Sequence, residues 1–281
     1  MDAPVVQRLA GERLHLSHGP IDVVLRGWGE AEAVRAAEAA AMAAFPAILP
    51  GLAAELPALR RPMAEAPRVV HPVARRMFAA CARFAPVFVT PMAAVAGAIA
   101  DALLAEMLRA APLARAYVND GGDVAVHVAE GESLAIGLAA DPARMVLDGA
   151  LRVTRGSRIG GVATSGRLGR SFSLGIADAV TVLARDAATA DAAATLIANA
   201  VDVDSAAVMR APADSLDPDS DLGARLVTVS VGALTAEEQA AALEAGLLRA
   251  EAFRRAGHIL GAALRLGGMV RATGLPALPA A

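Results

Sequence analysis

The periodicity of apolar residues changes character near the middle of this chain, and that change limits its folds more than any other feature. From about residue 30 to 109 they recur at helical spacing, in blocks. From Ala114 to Ile159 they form short β-type runs separated by turn signals. Helices in blocks beside meander-like strands indicate an α+β fold with antiparallel or mixed sheets, not a doubly wound parallel sheet.

The alternation from Arg13 to Leu25 around Gly19-Pro20 predicts a β-hairpin. An alanine-rich helix is expected over roughly Glu30–Phe45, with prolines at 46, 50 and 57 breaking its continuation. A second helix is expected from Pro72 toward Phe84, and a third, capped by Thr90-Pro91, through about Arg109. Strands follow at 116–118, 124–128, 134–138, 151–154 and 177–183, with a helix after Asp186. Residues 202–221, rich in aspartate, read as loop. A strand at 226–231 and a capping box at Thr235-Ala236-Glu237-Glu238 come next, the box opening a helix to about Arg255. Runs at 258–264 and 269–272 close a domain over residues 1–275, with one or two subdomains, before a disordered tail at 276–281.

Every basic residue is arginine, so Schiff-base chemistry and a P-loop lysine are excluded. The single cysteine, Cys81, rules out internal disulfides and lies in an apolar helical run, as a buried structural thiol would. A net charge of −3, one Trp and one Tyr give no footprint of a nucleic-acid binder. The apolar run Met92–Leu104 contains Asp101 and falls short of the roughly 20 residues of a membrane span. The first residues lack the pattern of a secretory signal, and a cytoplasmic protein is expected.

Three motifs carry chemistry. Asp191 and Thr195 stand four apart on a predicted helix, so both leave one face and offer two hard oxygens, the kind Mg²⁺ takes when phosphates supply the rest. The same spacing also suits a first-turn Asp and a Thr bonded back along its helix. Gly121-Gly122-Asp123 lies between strands. It suits either a plain hairpin turn or a turn that admits a ligand, with Asp123 on a sugar hydroxyl or ring N–H. Residues 152–170 hold five arginines and five glycines around Thr164-Ser165-Gly166, an inventory for binding an anion through backbone amides and guanidinium forks. Of the histidines only His15 and His18 are close in sequence, and on a strand they face opposite sides. The run from Asp217 to Gly223 fails the EF-hand pattern and reads as a turn-forming loop.

These motifs, in this order, resemble the ApbE superfamily, whose best-known members are FAD:protein FMN transferases; the chain looks most like a cytoplasmic branch of it. The likeness runs from about Val89 to Val201. It comprises Pro91–Asp101, with Gly97 shortly before Asp101, then Gly121-Gly122-Asp123, Ala163-Thr164-Ser165-Gly166, and Asp178-Ala179-Val180-Thr181-Val182 followed by Asp191 and Thr195. The resemblance implies Mg²⁺ at Asp191 and Thr195, with FAD or FMN near Asp101, Gly121, Gly122, Asp123, Thr164, Ser165, Gly166 and Arg167. It implies transfer of a phosphoryl or FMN group and names no catalytic base. After Thr-Ser-Gly the transferases carry a segment ending in His-Ile-x-Asp-Pro. Here no His or Pro occurs between Gly166 and Val201. The alternative is therefore a flavin-binding or partner-binding module that has lost catalysis. The expected ligand is a flavin nucleotide or another phosphate-bearing small molecule, with a protein partner and a homodimer left open.

Overall fold

Strand and helix alternate in blocks along the computed structural model, which describes residues 3–65, 68–141 and 146–275. The elements are β1 (Val5–Leu9), β2 (Arg13–His18), β3 (Ile21–Trp28), α1 (Ala31–Ala44), α2 (Ile48–Leu59), α3 (Pro72–Ala82) and α4 (Val95–Ala110). Next come β4 (Arg115–Asp120), β5 (Asp123–Val128), β6 (Ser133–Asp141), β7 (Val146–Thr154), β8 (Gly161–Ser165), β9 (Ala179–Ala184) and α5 (Ala187–Ala200). The chain ends with β10 (Val208–Pro212), α6 (Ala213–Leu216), β11 (Leu226–Val231), α7 (Ala236–Arg255), β12 (Gly261–Leu266) and β13 (Met269–Thr273). The α+β class holds. The expected tail lies outside the described residues.

Two compact units divide the chain. The first holds Met1–Ile136, Arg152–Ala163 and Ala184–Asp191, and the second holds Gly137–Leu151, Thr164–Leu183 and Ala192–Ala281. In the first unit the strands run β1-β2-β3-β4-β5-β8, and every pair from β1 to β8 is antiparallel. Alternate residues of β2, β3 and β4 are buried (Leu14, Leu16, Val23, Leu25, Ala116 and Val118), and α1 and α4 pack against this sheet. In the second unit β9, β12 and β13 form an antiparallel ladder covered by α7, whose Thr235–Glu238 capping box forms as expected.

Several local expectations fail. The prolines after Phe45 do not end the helical run: a 3-10 turn at Phe45–Ala47 leads into α2, with Pro57 inside it. Pro46 and Pro50 sit in first turns, where an N–H has no partner to lose. Residues 202–221 are not all loop, because β10 and α6 lie within them, and β1 is a strand that the sequence pattern does not predict. Two helical segments, Ala31–Leu59 and Pro91–Ala110, are long and apolar enough by length and composition to cross a membrane, which corrects the shorter span read from the sequence. Half of the second segment's most apolar window is packed against its own fold, as in a core helix.

Candidate functional site

Two helix starts meet in the first unit. Gly97 opens α4 so close to α5 that an added Cβ would stand 2.3 Å from the Ala187 carbonyl oxygen. The backbone N–H of Gly97 donates to Asp191 Oδ2 at 3.0 Å. Four residues on, and so on the same face of α4, Asp101 accepts the amides of Ala187 (3.0 Å) and Ala188 (2.9 Å) on its two oxygens. Asp186 accepts the Thr189 amide at 2.7 Å. The first amides of α5, which have no partner within the helix, are thus held by two carboxylates, and the helix is fixed where Asp191 leaves it. Asp101 therefore spends both oxygens on α5.

Burial pushes the Asp101 carboxyl up to about 6, against the pull of those two amides. Its folded value lies above its unfolded one. Its contribution to stability is therefore present below about pH 4 and lost as pH rises through about 6. Denaturant titrations should show the natural chain gaining stability relative to Asp101→Asn between pH 7 and pH 4.5. Parallel pH profiles would remove the assignment.

Asp191, half-buried on α5, faces two further carboxylates. Its pKa is raised well above the ordinary range, first by burial and next by the charge of Asp123. Asp120 adds to the rise, while the amides of Gly97 and Ala96 oppose it. Asp120 and Asp123 flank the β4–β5 turn, where Gly121 and Gly122 take φ of 62° and 114°. Only glycine adopts such values without strain. The amides of both glycines are already used: Gly121 donates to Asp22 O of the neighbouring strand β3 at 3.3 Å, and Gly122 to Asn119 Oδ1 within the hairpin at 2.8 Å. Nearby, Cys81 is buried, its Sγ donates to Thr90 O at 3.4 Å, and burial drives its thiol far up, as a structural thiol requires.

One turn beyond Asp191, in the second unit, Thr195 Oγ1 donates to Ser165 Oγ at 3.5 Å, a weak contact. Thr164 Oγ1 pairs with Thr181 Oγ1 at 2.9 Å. The Arg167 amide donates to Ala177 O at 2.9 Å, and its guanidinium meets Asp178 Oδ1 at 2.5 Å. Asp178 Oδ2 accepts Gly267 N at 2.8 Å, so Asp178 ties the Thr-Ser-Gly-Arg turn to the β12–β13 turn.

The arginine-glycine segment is not one anion-binding loop. It comprises the end of β7, a 3-10 turn at Arg155–Ser157, strand β8 and only then the 166–170 turn. Gly160 and Gly161 lie against the backbone of Arg185–Ala187, where any side chain would collide. Sequence reasoning missed Asp120 and Asp186. The first shares the inward parity of Ala116 and Val118 along β4, a signal that could have marked it. Among the described residues, no group of three or more His, Cys, Asp or Glu is arranged to hold a metal ion. A cation here would need hydroxyl, carbonyl or phosphate oxygens as well, which is how Mg²⁺ is commonly held.

A family profile described as AbpE bacteria matches residues 6–272. A UPF0280 protein of Methanothrix thermoacetophila is 38% identical over 120 residues, 42% of this chain and 48% of that protein. A UPF0280 protein of Archaeoglobus fulgidus is 39% identical over 102 residues, 36% of this chain and 40% of that protein. The chain thus matches less than half the length of either relative. Among solved structures, an ApbE protein of Thermotoga maritima aligns with a TM-score of 0.42 at 16% identity, covering 88% of this chain and 77% of that one. The apo form of the flavinyl transferase ApbE of Pseudomonas stutzeri aligns with a TM-score of 0.42 at 13% identity, covering 97% and 96%.

Proposed function

The chain belongs to the AbpE bacteria family, and from that membership we propose that it binds a flavin nucleotide, or another phosphate-bearing ligand, through Mg²⁺ held by Asp191 and Thr195. The observation that carries this reading is the Asp191 carboxylate, anchored by the Gly97 amide, with its pKa pushed up first by burial and then by the charges of Asp123 and Asp120. A half-buried carboxylate repelled by like charges costs stability while it is ionised, and a proton or a bound cation relieves that cost. Thr195 supplies a neutral oxygen one turn along the same helix. Asp123 would take a sugar hydroxyl or ring N–H, beside the Gly121-Gly122 turn that admits a ligand without side-chain clash. Thr164, Ser165, Gly166 and Arg167 would take phosphate oxygens. Asp101 acts on the site by holding α5. When bound, Mg²⁺ neutralises a pyrophosphate and favours attack at phosphorus, so phosphoryl or FMN transfer is the reaction this set would serve.

A second reading, a flavin-binding module without catalysis, is favoured by the lack of His and Pro between Gly166 and Val201 and by the Arg167–Asp178 pair. Calorimetry with FAD, FMN and ATP, with and without Mg²⁺, tests the shared claim: heat is expected with a flavin nucleotide only when the metal is present. Silence in every titration ends it. AMP release from FAD then separates the two readings, since release abolished by Asp191→Ala supports transfer and no release supports the module.

A further inference from the structure

The strands that carry Asp120 inward present something different on their other face. Alternate residues of β3 and β4 point away from the buried positions, and four of these form a checkerboard. Arg26 is paired across the ladder with Tyr117, and Trp28 with Arg115. Trp28 and Tyr117 are the only Trp and the only Tyr of the chain. Their rings lie 5.9 Å apart, tilted by 50°. The guanidinium carbons of Arg26 and Arg115 stand 4.4 Å and 5.1 Å from the indole centre. Two guanidiniums thus stack on the one indole, and the charges of Arg13 and Arg26 act on the Tyr117 phenol.

We infer that this face of β3 and β4 is a docking surface for an acidic protein segment, with Trp28, Tyr117, Arg26 and Arg115 as its energetic centre. Trp, Tyr and Arg dominate the few residues that carry binding energy at protein interfaces, and here a chain poor in aromatics places its single Trp and Tyr together. Stacking on the indole holds the guanidiniums in place, which reduces the ordering cost of a contact. The fold itself shows what these arginines donate to or pair with: a carboxylate at each, and at Arg115 also the Ser133 carbonyl oxygen, 3.2 Å from Nη1. Glu12 Oε2 sits 2.8 Å from Arg26 Nη2, and Glu132 Oε2 sits 3.6 Å from Arg115 Nε. Both glutamates are exposed, at 84% and 41% of their side chains. The arginine side chains are more covered, at 25% and 32%, but the glutamate halves stand in solvent, where a carboxylate is held weakly and a partner's can take its place. A second copy of the chain is a poor occupant, because two such faces would oppose arginines to arginines.

Trp28, as the sole indole, reports on its own site. The full chain, excited at the red edge of indole absorption, is titrated with a random glutamate–tyrosine copolymer, and separately with polyuridylate. Sedimentation velocity gives its oligomeric state. A shift of Trp28 emission by the copolymer is expected, with affinity falling roughly tenfold between low and physiological salt. The Arg26→Glu/Arg115→Glu variant should bind at least ~10-fold more weakly. The salt series on the natural chain stands even if that variant folds poorly. An unchanged emission overturns the inference. So does tighter binding of polyuridylate, and so does a dimer that the charge reversal dissolves.

Discussion

Replacing Asp191 by Asn is expected to weaken Mg²⁺-dependent nucleotide binding at least ~100-fold, about 3 kcal/mol, while leaving the ligand-free fold as stable as before or more so. The two effects have one cause. In the absence of metal the Asp191 carboxylate is desolvated and repelled by Asp123 and Asp120, so its folded pKa is raised. A carboxyl raised in this way contributes stability only at acid pH and loses it as pH rises through its folded value. Asn keeps an acceptor for the Gly97 amide and removes the charge. At neutral pH the variant should therefore resist denaturant at least as well as the natural chain, and any advantage should disappear in acid. Metal binding must follow the opposite trend in the natural protein. Protons compete for the same oxygen, so apparent Mg²⁺ affinity should fall as pH is lowered, by up to about tenfold per unit below that raised pKa. Calorimetric titration across pH, paired with denaturation curves, reads both. A variant that binds nucleotide and Mg²⁺ normally would remove Asp191 from the site; one that binds neither and is also badly destabilised would recast it as structural.

Gly97→Ala should be among the most damaging single-methyl changes in the chain. The new carbon would lie 2.3 Å from Ala187 O and 2.8 Å from Ala188 N, both backbone atoms that cannot rotate aside. The helices must part, and with them go the Gly97–Asp191 bond and the two amide bonds to Asp101. A cost of about 3 kcal/mol, or roughly 6–12 °C in Tm, is expected. Mg²⁺-dependent binding should be lost even at temperatures where the variant remains folded, because the carboxylate moves with its helix. Calorimetric melting and binding at low temperature separate the two losses. A Tm within a degree of the natural value would mean that α4 and α5 do not approach this closely.

Much of the fold can be read directly from the chain because its signals are local. The Arg13–Leu25 hairpin, the helix capped at Thr235 and the turn at Gly121-Gly122 each depend on a few neighbouring residues whose backbone preferences agree. Where the signal is not local, reading fails. Strand β1 is exposed throughout most of its length and shows no alternation of burial, since it exists only as the outer partner of β2. Strand β10 lies in an aspartate-rich stretch and forms because β11 pairs with it across a bulge. The prolines near α2 look like breakers in the sequence because composition alone does not say which position of a turn each occupies.

The candidate site divides along the same line. That Asp191 and Thr195 share a helix face follows from four-residue spacing and the geometry of any α-helix. That Asp101 serves the amides of α5, while the charges of Asp120 and Asp123 act on Asp191, depends on partners roughly seventy to ninety residues away. Spacing can put two oxygens on one side of a helix. Only the packing of α4 against α5 and the β4–β5 turn decides which charges share their surroundings, because electrostatic energy follows distance in space rather than separation along the chain.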